Sequence, residues 1–288
     1  MTSTTQWPAF PHAQDDYDYA GSALHKAWDR LHGGDREPWP DTAWVKKTCA
    51  GFPAAAQGLG ELADDPKTVA ARLQEAWRSF HRGDFREAME QGVELGLIGY
   101  AVANKAQSTV GNYLVEDGKA KSAMMQATMA RAEQAMESLP EHPNSWYLNA
   151  YAIGRYAQCV SVAEALAEGL GKKVTRYLRT TLNLEPSHAD AHTATGVFHA
   201  EVIDKVGAMI GGMTFGANKE EGLKHFRKGI ELAPHSASAL MEYADGLLML
   251  EGKGQTAEAI KLYEKAAAMD PADALERLDV ELAKSQLE

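Results

Sequence analysis

Cysteine is nearly missing: Cys49 and Cys159 stand far apart, with no C-x-x-C between or around them. That leaves no material for a disulfide framework or a cysteine-rich zinc site, and a reducing compartment fits. Long apolar runs are missing too. The opening, Met1 to Asp18, lacks the positive and apolar regions of an export signal, and no stretch of about 18 apolar residues follows. The expected setting is cytoplasmic, with no membrane partner. No Lys/Arg run interrupts a chain whose formal charge is −11, so nucleic acid, which needs a basic face, is not an expected partner. Runs of β-branched residues are scarce, whereas Ala, Leu, Glu and Lys abound, and the 288 residues lean toward helix throughout.

Catalytic signatures are also lacking. No HExxH or G-x-S-x-G occurs. Gly171-Lys172-Lys173 resembles the end of a phosphate loop, but Leu166 stands where its first glycine belongs and Lys173 replaces the Ser/Thr that would hold magnesium. Gly58-Leu59-Gly60 has no strand before it, and His199-Ala200-Glu201 has no P-C-x-x-C partner. Asp16-x-Asp18 with Gly21 offers too few oxygens for calcium, with Ala20 and Ala27 at ligand positions. Neither an enzyme nor a cofactor is expected.

What the chain does have is punctuation. Leu184-Glu185-Pro186, Leu232-Ala233-Pro234 and Met269-Asp270-Pro271 close three successive segments, and glycine-rich turns divide the segments between them. Residues 1–16 read as an irregular arm whose Trp7, Pro8, Phe10 and Pro11 can latch onto the body. Four of the six tryptophans (Trp7, Trp28, Trp39, Trp44) fall in the first 44 residues; a cap over the first helices is the plainer account, an exposed peptide-binding segment the sharper one. Tyr17 to Leu31 reads as a first helix, and Pro38 to Pro53 as mostly loop. From Pro66, Val69, Leu73, Ala76, Trp77 and Phe80 recur at three- and four-residue steps, one face of an amphipathic helix. Arg82-Gly83-Asp84 ends it and Phe85 to Leu97 returns. Tyr100 to Leu114 pairs with Lys119 to Leu139, whose Met124, Met125, Met129 and Met136 read as packed core. Ser145 is the expected N-cap of a long helix, Trp146 to Glu168, which pairs with Lys172 to Leu184. A second long helix, Ala189 to Ile210, turns at Gly211-Gly212 into Lys219 to Leu232. Ala237 to Leu250 pairs with Thr256 to Met269, and Ala272 to Leu287 closes the array as a polar cap.

In the last units, small and aromatic residues take fixed places. Ala259, Tyr263 and Ala266 precede Pro271 as Gly222, Phe226 and Gly229 precede Pro234, and Gly196 sits in the preceding helix. This pattern resembles the tetratricopeptide repeat, clear over 186–271 and degenerate over 66–185. The resemblance implies an all-α solenoid of antiparallel helical hairpins. Three parts are expected: 1–65, an arm with a first helix; 66–185, degenerate hairpins; and 186–288, clearer repeats with a capping helix. Trp146-Tyr147, Gly154-Arg155-Tyr156, the L-N-L-E-P close and Gly196-Val197-Phe198-His199 are similar to the regulator of microtubule dynamics proteins, and to a lesser degree to the tetratricopeptide partners of bacterial TRAP transporters.

In the repeat family, first helices line a concave surface that grips a partner peptide. Carried over by position, that gives Tyr151, Arg155 and Gln158, then Asp190, Val197 and Glu201, then Met241 and Asp245 as partner-binding residues. Arg155 would clamp a carboxylate; its structural alternative is an ion pair with Glu201 or Asp204. The function implied is a non-catalytic scaffold for a protein or peptide. The alternative is a small-molecule or metal-ligand binder with a polar pocket between helices 146–168 and 189–210. His188, His192 and His199 crowd one helix, but His192 and His199 lie about 10 Å apart along its axis, too far for one ion unless another helix adds ligands between them. No metal site is assigned.

Overall fold

The computed structural model describes residues 7–13 and 17–288; the remainder of the expected arm, 1–6 and 14–16, lies outside the described residues. Among the described residues the protein is all-α, with sixteen α-helices joined by short turns and no strand. It divides into two compact units, Met1–Trp28 with Glu37–Cys159, and Asp29–Arg36 with Val160–Glu288.

The first unit holds most of α1 (Ala23–Leu31), then α2 (Thr42–Gly51), α3 (Pro53–Leu59), α4 (Pro66–Arg82), α5 (Phe85–Glu94), α6 (Tyr100–Thr109), α7 (Gly118–Ser138) and α8 (Pro143–Ala157). Its core is aromatic. The expected face of α4 is buried at Val69, Leu73, Ala76, Trp77 and Phe80, and Trp28 meets Trp77 edge-on at 5.9 Å while Phe80 meets Phe85 at 5.4 Å. The arm latches here, through Phe10 against the Phe85 ring at 6.0 Å. Large rings fill the space around α4, while Gly92 and Gly99 let the chain close backbone to backbone beside Ala103 of α6. Of the methionine stripe on α7, Met124, Met125 and Met136 are buried.

Three expectations fail in this unit for local reasons. The first helix begins at Ala23, after a left-handed Gly21, not at Tyr17. Pro38 to Pro53 is not mostly loop but contains α2, because its prolines bracket the helix instead of interrupting it. Pro40 precedes the cap, Asp41 accepts the Trp44 N–H at 2.7 Å, and Pro53 opens α3, where a missing N–H costs nothing. Ser145 is not the N-cap of α8. Pro143 starts that helix after His142, and Ser145 is buried in its first turn.

The second unit holds α9 (Val162–Ala167), α10 (Leu170–Leu184), α11 (Ala189–Val206), α12 (Ala208–Phe215), α13 (Lys219–Leu232), α14 (Ala237–Glu251), α15 (Thr256–Ala267) and α16 (Ala274–Ser285). Neither long helix exists as expected. The 146–168 helix is broken after Ala157, and Ser161 restarts it as α9 by accepting the Glu164 N–H at 3.1 Å. The 189–210 helix stops at Val206 because Gly207 turns to φ 83°, a conformation open to glycine. The chain then continues as α12, which contains the Gly211-Gly212 expected as a turn; the real turn is Gly216, at φ 69°.

The repeat packing is centred on Phe226 of α13, fully buried with Leu223, Leu247, Leu250 and Ala200. A Cβ at Gly196 of α11 would stand 2.8 Å from its ring, and one at Gly246 of α14 would overlap it. Tyr243 stacks on the same ring at 5.5 Å. Glycine on either side lets two backbones close on one aromatic, the interlock that the spacing predicts. Ala259 and Ala266 are buried at the equivalent places on α15, and Ala266 joins Ala237, Leu240, Met241 and Val280 in a second cluster reaching α16.

Candidate partner-binding surfaces

On α8 in the first unit, Tyr151, Arg155 and Gln158 follow one another at four and three residues and so share a face. The Arg155 guanidinium lies over the Tyr151 ring at 5.1 Å, Tyr147 stands 6.3 Å from Tyr151, and Gln158 is exposed at the end of the helix. At that distance the guanidinium is attracted to the ring face.

In the second unit the candidates have varied surroundings. Asp190 opens α11, and its N–H donates to the Gly34 carbonyl at 3.1 Å. Its carboxylate lies so close to Gly34 that a side chain there would overlap it. Segment Asp29–Arg36 is fixed at two more points: Arg36 Nε donates to Ser187 Oγ at 3.1 Å, and the Arg30 guanidinium forks onto both Glu276 oxygens, one of them at 2.8 Å. Val197 packs half-buried on the Phe226 cluster, and Met241 is buried in the cluster around Ala266. Glu201 accepts from Lys205 at 3.0 Å. Asp245 accepts the Tyr263 hydroxyl at 2.5 Å, and burial, with that carboxylate beside it, raises the Tyr263 pKa.

Two groupings go beyond the sequence analysis. The first extends its His192 and His199 into a histidine cluster with His225. His225 of α13 enters between the two histidines of α11: His192 Nδ1 and His225 Nδ1 are 2.9 Å apart, and the His199 ring is 6.3 Å from that of His225. His192 Nε2 donates to the Pro186 carbonyl at 3.1 Å, so in the neutral ring its Nδ1 accepts from His225. His199 Nδ1 accepts the Asn218 N–H at 3.1 Å. Burial pushes all three below the ordinary histidine value, and the neighbouring rings help to take His225 to about 4. With these nitrogens in hydrogen bonds, among the described residues no group of three or more His, Cys, Asp or Glu is arranged to hold a metal ion. His192 and His225 stand 33 residues apart on the two helices of one hairpin, a separation that no local helical period marks.

The second grouping is a polar seam in the first unit. Arg131 Nε of α7 donates to Asn104 Oδ1 at 2.9 Å, and its fork also reaches Gln107 Oε1, both on α6. Burial lowers the Arg131 pKa. Beside the seam, Asn104, Tyr100, Trp44, His142 and Leu148 bound a cavity of about 10 Å³, room for one water and not for a metabolite.

Consecutive helical hairpins closed on small residues define a tetratricopeptide-like protein. The crystal structure of TTC0263, a thermophilic TPR protein in Thermus thermophilus, is similar to it, with a TM-score of 0.54 and 13% identity over 75% of this chain and 99% of that one. The model of the family Regulator of microtubule dynamics protein 1-3 matches residues 101–287, and the chain belongs to that family. No curated protein matches it.

Proposed function

We propose that the protein is a helical-repeat scaffold that binds a protein or peptide partner along the first helices of its hairpins and carries out no reaction itself. The observation that carries this is the Phe226 interlock, which spends side chains on holding α11, α13 and α14 in register and leaves outer positions of α11 and α14 for recognition. The repeat fold and the family support it. In this reading Tyr151, Arg155 and Gln158 form one contact in the first unit, and in the second Asp190 and Glu201, flanking the half-buried Val197, and Asp245, one turn from the buried Met241, form others. Arg155, Glu201 and Asp245 would be the charged anchors for an extended or helical segment.

The test is affinity capture with the full chain, with microtubule co-sedimentation as one arm because of the family's name. Arg155→Glu with Glu201→Lys, checked for unchanged helicity and melting, should release the partner. Retention of the same partner by that folded variant would refute the surface. The small-ligand alternative names a pocket between helices 146–168 and 189–210; the water-sized cavity of the first unit lies elsewhere, and a metabolite raising the melting temperature would favour that alternative.

A further inference from the structure

Helix α12 carries the largest apolar exposure among the described residues: Met213 is 86% exposed, Met209 76% and Ile210 54%. Its sequence, Ala-Met-Ile-Gly-Gly-Met-Thr-Phe, has one polar side chain, Thr214, and no charge. The helix is held from beneath: Gly211 is buried near Val202, and the Phe215 ring lies 3.0 Å from where a Cβ at Gly171 would stand. The methionines therefore project from the surface. Val162 and Leu166 of α9, 47% and 50% exposed, lie just ahead of the same first turn of α10.

Helix α10 supplies the charge. It carries Lys172, Lys173, Arg176 and Arg179 and no acid. Lys172, Arg176 and Arg179 are exposed at i, i+4 and i+7, one face, while Leu170, Val174, Tyr177, Leu178 and Thr181 are buried on the other. Periodic placement hides this basic face from a search for runs. Glu164, Glu168, Asp204, Glu220 and Glu221 are the exposed acids nearby in sequence; Glu221 is engaged by Lys224, and Lys205 by Glu201.

We propose that α12, with the basic face of α10, docks onto an anionic phospholipid bilayer, the apolar side chains entering the headgroup–acyl boundary and the cations meeting lipid phosphates. This departs from the expectation of no membrane partner and adds a surface to the scaffold without depending on its groove. A protein partner would look for roughly one hydrogen bond per 100–200 Å² of interface, and α12 offers a single hydroxyl; the acyl boundary asks for none. A projecting apolar helix beside several cations suits an interfacial contact. Among the described residues no helix is long and apolar enough to cross a membrane, so the contact lies on one leaflet.

The test is flotation of the full chain with vesicles of phosphatidylcholine alone and with added phosphatidylserine. Binding is expected only with phosphatidylserine and should weaken several-fold in about 0.5 M salt. Met209→Ser with Met213→Ser, both on exposed positions, should lower it about tenfold, and Lys172→Glu with Arg176→Glu should abolish it, with circular dichroism and melting unchanged. No binding to phosphatidylserine vesicles, or binding indifferent to the methionine variant, overturns the proposal. So does a wild-type dimer in analytical ultracentrifugation that the methionine variant turns into monomer, since a second copy then covers α12.

Discussion

The α11–α13–α14 region and the α4–α7 region combine small residues and large rings in different ways. In the former, Gly196 and Gly246 let backbones close on the Phe226 ring, with the half-buried His192, His199 and His225 between α11 and α13. In the latter, Trp77, Phe80 and Phe85 pack on one another, Gly92 and Gly99 meet backbone to backbone beside Ala103 with no ring between them, and a seam of Asn104, Gln107 and Arg131 is shut between α6 and α7. Close approach ties each position to one residue size, so it leaves a readable pattern. Ring filling tolerates many substitutions and leaves a faint one.

The comparison breaks most sharply at Phe226. Phe226→Ala should cost about 3–5 kcal/mol in urea unfolding, and a smaller loss would mean the interlock is slack. Gly246→Ala, which drives a methyl into that ring, should cost about 1–3 kcal/mol. Combined with Phe226→Leu, its penalty should shrink, because the two share one contact. In the other region, Arg131→Leu strips the donor from two amide oxygens and should cost about 1–3 kcal/mol by the same measurement. A neutral result would show that water already serves those oxygens. Asp41→Ala should cost about 1 kcal/mol and raise hydrogen exchange in α2.

The smallest effect concerns pH. The histidine cluster is held below its ordinary value of 6.5, with His225 at about 4, by burial and by the other rings. Glu221 opposes the shift, while Lys224 and Lys228 reinforce it. The unfolded chain therefore binds more protons, and the stability that neutral rings provide is present above pH 6.5 and lost as pH falls toward about 4. His225→Asn should flatten the fall of melting temperature across that window relative to wild type. An unchanged slope would show that the rings stay solvated.

The repeat frame was legible from Pro186 onward because Gly196, Phe226 and Ala266 are fixed by contact, and the amphipathic face of α4 was legible from its period. The breaks at Gln158–Ser161 and Gly207 were not, since a cap or a left-handed glycine overrides a helical pattern at single residues. Prolines 40 and 53 misled because a proline's meaning depends on whether it lies within a helix or at its start. Of the candidate surface, the α8 face was readable as a ladder, whereas the position of Asp190 depends on Gly34, which no local period links to it.

Segment Asp29–Arg36 belongs to the unit that is otherwise built from Val160 onward, and Arg30 grips Glu276, 246 residues later. The chain therefore cannot be divided by one cut. A fragment starting at Val160 would be made without the strap that engages α11 and α16. During translation Arg30 must wait for Glu276 to be made, so this end of α1 is seated long after Trp28 can meet Trp77.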